Sequence, residues 1–258
     1  MEAAPPEVGG AVGPRLAPLA RVSLLVGIRE SFGHAIGRSW APVTAAVSAL
    51  RRARMFHPEG IVCAGLVTCA ADSRFAELGE RLAGPAPARF SAALWRDHEG
   101  WPDVLGVALR FGRDQDLLLA SVRSPFTLAL APLATETEDF LANRYWAVSP
   151  FDVHGIGRLK FRLEAEPGER PLAATRDARL VIAVEEGRAN WRLDARPVFS
   201  PRYHPVARLH LQRVCEVDQA ALRFDPFRAG RGIVPSGLVH AIRPAVYAGS
   251  QRARPAHV

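Results

Sequence analysis

Near the end of the chain, Arg243, Tyr247 and Arg254 stand four and eleven residues apart. On a helix those offsets return to nearly the same face, so the three side chains project together. A guanidinium one turn from a phenol favours the phenolate. A phenolate is a hard, anionic ligand for ferric iron, including the iron of haem. The spacing therefore predicts a tyrosine-ligated iron site with flanking cations.

A second block, Arg54-Met-Phe-His57-Pro-Glu-Gly60, runs into a strand-like stretch. An extended separation of three residues spans roughly 10 Å, about a haem half-width plus a propionate arm. Arg54 can then meet a propionate while His57 lies over the iron. A neutral imidazole there can take a proton from bound peroxide and return it to the leaving oxygen. The third block, Arg89-Phe-Ser91, offers another cation for a propionate. Its hydroxyl can hold the His57 ring in one tautomer. A strand serine also commonly satisfies nearby backbone groups, and that reading stands beside the first.

Taken in order, these blocks resemble the catalase superfamily, specifically a small catalase-related haem peroxidase that keeps the family's core. The resemblance rests on R-x-x-H-x-x-G, on R-F-S followed by G-V-A-L-R-F, and on the closing R-x-x-x-Y-x-x-x-x-x-x-R. Leu222-Arg-Phe-Asp-Pro-Phe227 and Pro235-Ser-Gly237 are similar to the family's approach to its proximal helix. The resemblance implies His57 as distal acid/base with Ser91 as its hydrogen-bond partner. It implies Tyr247 as proximal ligand of haem b iron, with Arg243 keeping it ionised. Arg54, Arg89 and Arg254 become propionate-binding cations. Peroxide and a small organic electron donor are the implied partners, and the family's tetramers make a homo-oligomer one compatible arrangement.

The chain also departs from the family. Catalases carry a distal asparagine after a D-L-x-G strand, and that position falls here at Ala120, Ser121 or Val122. The amide helps hold the second peroxide of dismutation, so its loss shifts the expectation from oxygen release toward peroxidase turnover on hydrogen peroxide or organic hydroperoxides. Two other functions are compatible with the same residues: a haem-binding sensor or carrier with little turnover, and an allene oxide synthase-like enzyme that rearranges hydroperoxides.

These side chains need a scaffold, and the rest of the chain reads as mainly β. With 258 residues, 48% hydrophobic and 23% charged, it is long enough for one domain with a full core. Residues 1–20 are rich in Ala, Pro and Gly without apolar period and read as a flexible arm. Residues 21–258 read as a single domain. Strand character marks 60–68, 89–93, 104–111, 116–121, 158–163, 179–185, 191–196 and 207–212. Helices are expected over 73–83 and around 135–143, with a further helix carrying Tyr247. Seven or eight strands with few helices predict an antiparallel β-barrel, because parallel winding needs a helix between successive strands.

The net charge of +7 is almost all arginine, scattered rather than clustered, which argues against a nucleic-acid footprint. No apolar run approaches the roughly 20 residues of a membrane-spanning helix. Three cysteines cannot all pair, which fits a reduced, cytoplasmic compartment.

Overall fold

The computed structural model describes residues 60–95, 98–124, 130–147, 149–218 and 222–236. Its elements in chain order are β1 (Gly60–Cys69), α1 (Ala76–Leu82), β2 (Gly84–Pro85), β3 (Ala88–Ala92), β4 (Leu105–Phe111) and β5 (Gln115–Ala120). There follow α2 (Ala131–Ala134), a 3-10 turn (Phe140–Ala142), β6 (Arg144–Trp146), β7 (Phe151–Val153) and β8 (Gly157–Ala165). The last are α3 (Arg176–Glu185), β9 (Asn190–Pro197), β10 (His204–Cys215) and β11 (Ile233–Pro235).

Eight strands close into an antiparallel barrel in the order β8-β6-β5-β4-β3-β1-β10-β9, with β9 returning to β8. Closure removes the free sheet edges that invite aggregation. The expected mainly β antiparallel barrel is therefore what this sequence builds. β7 joins the same edge of β8 as β6 does, and β11 extends the sheet beyond β7.

Period-two patterning explains the wall. Along β8, Leu159, Phe161 and Leu163 are buried, while Arg158, Lys160 and Arg162 are more exposed. Across from them, β9 supplies Leu193 opposite Leu163 and Ala195 opposite Phe161. The two strands thus turn apolar faces inward together, and a one-residue slip would reverse every side chain. Phe90 of β3 packs on Trp191 of β9 at 5.3 Å and on Phe140 at 5.6 Å between ring centroids. Phe90 is fully buried, so Phe90→Ala should cost about 4 kcal/mol, read as a lower denaturant midpoint.

One strand and one helix expectation need correcting. Residues 179–185 read as a strand but lie within α3. The side chain of Thr175 caps that helix by accepting from the Ala178 N–H at 3.1 Å. Buried Arg176, Leu180, Ala183 and Val184 fall at helical spacing. Capping and this buried stripe outweigh the β-branched propensity of Leu-Val-Ile-Ala-Val. Around 135–143 the expected helix is only the 3-10 turn at 140–142, preceded by the single-turn α2. Here Asn143 donates its amide to the carbonyls of Glu136 and Asp139, both at 2.7 Å, and accepts the Glu136 N–H. Side-chain bonding of this kind offers the backbone an alternative to helix. The helix expected at 73–83 is present as α1.

No helix among the described residues is long and apolar enough to cross a membrane. The arm at 1–20, the helix expected to carry Tyr247, and the candidates Arg54, His57, Arg243, Tyr247 and Arg254 lie outside the described residues.

Candidate functional site on the outer face of β3

Arg89 and Ser91 alternate with Ala88, Phe90 and Ala92 along β3. The latter three belong to the hydrophobic core, so Arg89 and Ser91 face outward from the barrel. Both are nonetheless buried, at 5% and 4% exposure. An outward-facing arginine and serine withdrawn from water mark this face of the sheet as covered.

Cross-strand pairing shows what surrounds them. Ser91 pairs with Gly60 of β1 and Gly106 of β4, and Gly106 pairs with Ala120 of β5. Directly opposed residues share a face, so these four form one row across the sheet. Within it the Ser91 hydroxyl is the single polar side-chain group. The row beside it runs Val62, Arg89, Ala108 and Leu118. A smooth, small-residue surface therefore passes, one row over, into a cation.

Gly60, the glycine of R-x-x-H-x-x-G, has a structural reason of its own. A Cβ there would lie 2.0 Å from the Phe90 carbonyl oxygen, so only glycine lets β1 approach β3 this closely. The three positions singled out at the end of the D-L strand differ in their surroundings. Ala120 shares the row of Ser91, whereas the Ser121 hydroxyl accepts from the Leu105 N–H at 3.0 Å and bonds the Thr135 hydroxyl at 2.7 Å. Ser121 is thus committed to holding the end of β5, and Val122 is buried.

An ion pair missed from sequence secures the same face. Arg110, opposite Asp116 across the β4–β5 hairpin, donates Nε and Nη2 to the two carboxylate oxygens at 2.7 and 2.9 Å. Asp116 is fully buried and also accepts the Asp225 N–H at 2.7 Å. Arg110 donates further to the Arg223 carbonyl. Beside it, the Gln115 amide donates to the carbonyls of Arg228 and Ile233 at 2.9 and 3.2 Å. Together they pin the segment from Arg223 to Ile233 against β5. Phe224 is held there with the guanidinium of Arg89 5.3 Å from its ring centroid and that of Arg110 at 4.9 Å.

Removing one partner of such a buried, bidentate pair leaves the other charge uncompensated. Asp116→Ala should therefore cost about 3 kcal/mol and open residues 222–228 to proteolysis. Chemical unfolding with limited digestion and peptide mapping reads both effects.

The tyrosines sort clearly. Of three in the chain, Tyr145 lies inside the barrel and donates to the Phe140 carbonyl at 2.8 Å. Burial pushes its phenol well above the ordinary value, and the Asp139 carboxylate adds to the rise. It is held as a neutral donor, the opposite of an iron-binding phenolate. Tyr203 is stacked by Arg162 and Arg196, at 4.4 and 5.3 Å from its ring centroid. The Cys63 thiol, on the inner face of β1, is pushed up to about 12 by burial, with Cys215 adding to the rise, so it is no nucleophile at neutral pH. Among the described residues no group of three or more His, Cys, Asp or Glu side chains is placed to hold a metal ion.

Of the seven candidates, then, the structure brings Arg89 and Ser91 together on one face. Compared with known proteins, the chain matches no family model and no curated sequence.

Proposed function

We propose that this chain is a haem-dependent peroxidase or catalase of the catalase superfamily, with haem b held against the outer face of β3. The supporting observation is the pairing of buried Arg89 with Ser91 on a face whose neighbouring row is Gly60, Gly106 and Ala120. A flat, largely apolar macrocycle with carboxylates at its rim suits a smooth surface with a cation at one end. The Leu222–Phe227 segment, singled out by its likeness to the family's proximal approach, lies against that same face through Phe224.

Each residue has a defined task in this reading. Tyr247 ligates iron through its phenolate oxygen, and Arg243 keeps that oxygen ionised. Arg54, Arg89 and Arg254 pair with the propionates. His57 would take a proton from one peroxide oxygen and deliver it to the other. Ser91 holds the imidazole in the orientation that this transfer needs. The haem iron, when bound, supplies the redox chemistry that accepts peroxide's oxidising equivalents. The enzyme would act in the cytoplasm on hydrogen peroxide or organic hydroperoxides.

Ala120 tilts the balance between turnover types. A methyl group can neither donate nor accept a hydrogen bond, so the row of Ser91 offers a second peroxide no amide. Donor-dependent peroxidase turnover should therefore exceed oxygen release. The same residue favours the second reading, a haem sensor or carrier with little turnover. Following peroxide loss with and without a phenolic donor, alongside an oxygen electrode, separates the cases. Donor-dependent loss supports the peroxidase, oxygen release without donor supports a catalase, and haem that is inert to peroxide supports the carrier.

A further inference from the structure

Beyond Ser91 the chain leaves β3 and reaches an aromatic cluster at the surface. Trp95 follows Ser91 by four residues, so their Cα atoms are no more than about 14 Å apart. Its backbone is fixed from two sides. The carboxylate of Asp103, fully buried, accepts the N–H groups of Leu94, Trp95 and Val104 at 3.0, 2.7 and 2.6 Å. Arg176, 1% exposed, donates to the carbonyls of Trp95 and Thr137 at 2.8 and 2.9 Å. Trp95 meets Trp101 edge to face at 5.2 Å, and His98 stacks on Trp101 at 5.0 Å with 23° between the planes. Trp101 is 52% exposed.

Two buried charged side chains thus fix the backbone around one indole, which carries a second into solvent. The barrel's other large aromatic cluster, Phe90, Phe140, Tyr145 and Trp191, is sealed inside. Indole is among the most readily oxidised side chains, and its exposed ring offers a stacking surface for another aromatic ring. We propose that Trp95 and Trp101 form an electron-entry relay, through which phenols or aromatic amines too bulky to reach the haem reduce the site after it has reacted with peroxide.

This relay rests on the haem peroxidase reading. Trp95 would give one electron to the haem site, Trp101 would give one to Trp95, and a phenol stacked on Trp101 would give one to Trp101. The phenol releases its proton to water and leaves as a phenoxyl radical. Two such transfers supply the two electrons that, with two protons, convert one hydrogen peroxide into two waters.

The test uses haem-loaded protein, hydrogen peroxide, a radical trap, and two donors: a free small phenol and the same phenol tethered to a large soluble polymer. In the parent protein, peptide mass spectrometry should find the trap attached at Trp101. In Trp101→Phe that adduct should vanish and tethered-phenol turnover should fall about tenfold or more, while free-phenol turnover stays within about twofold. Unchanged tethered-phenol turnover in the variant, with no adduct in a parent that oxidises the free phenol, overturns the relay and leaves the haem reading standing. A haem-loaded parent that oxidises neither donor overturns the relay together with the peroxidase form of the reading, while failure to take up haem overturns the haem reading itself.

Discussion

Replacing Tyr247 by Phe is expected to abolish ligation of ferric haem. Phenylalanine keeps the ring and loses only the oxygen that would bind the iron. Tyr145 cannot take its place, because it is a buried neutral phenol inside the barrel. Haem affinity should fall by more than about a hundredfold, past the range seen when residues that merely support a ligand are removed. Titration of the variant with haem, followed by its absorption spectrum, checks this. A normal ferric tyrosinate spectrum in Tyr247→Phe would remove the ligand from the account.

His57→Ala is expected to leave haem binding intact and slow the reaction with peroxide by about 10²–10⁴-fold, the usual contribution of a positioned acid–base group. The proton must leave one peroxide oxygen and arrive on the other, and no other side chain assigned to this face can carry it. Ser91 holds a hydroxyl without useful basicity, and the arginines stay protonated. The base must be the neutral imidazole, so the parent rate should rise with pH as the imidazole loses its proton. In the variant that rise should disappear, and added imidazole should restore part of the rate. Stopped-flow absorbance across the pH range measures all three effects. An equal rate in parent and variant would contradict the role of His57.

The barrel was legible because its walls alternate. In Arg158-Leu-Lys-Phe-Arg-Leu163 the polar and apolar faces separate on inspection, and the structure places them outside and inside. Arg89 and Ser91 were legible for the same reason, since period two puts them on one face and Phe90 on the other. Residues 179–185 misled because branched side chains favour a strand, while the decisive signals, the Thr175 cap and the buried stripe shared with Arg176, begin outside that window. The Arg110–Asp116 pair and the docking of Phe224 were invisible to local pattern. Asp116 accepts the Asp225 N–H from 109 positions along the chain, and no periodicity carries such a contact. The Trp95–Trp101 corner escaped notice similarly, because what fixes it is Arg176, distant in sequence and buried against expectation for an arginine.

The central claim is that this chain binds haem through a tyrosinate. Its most direct test is the absorption and resonance Raman spectrum of the purified protein after reconstitution with ferric haem. The account predicts stoichiometric uptake, a high-spin ferric Soret band and phenolate modes of a bound tyrosine. Failure to take up haem, or uptake with a spectrum lacking tyrosinate modes, would contradict it.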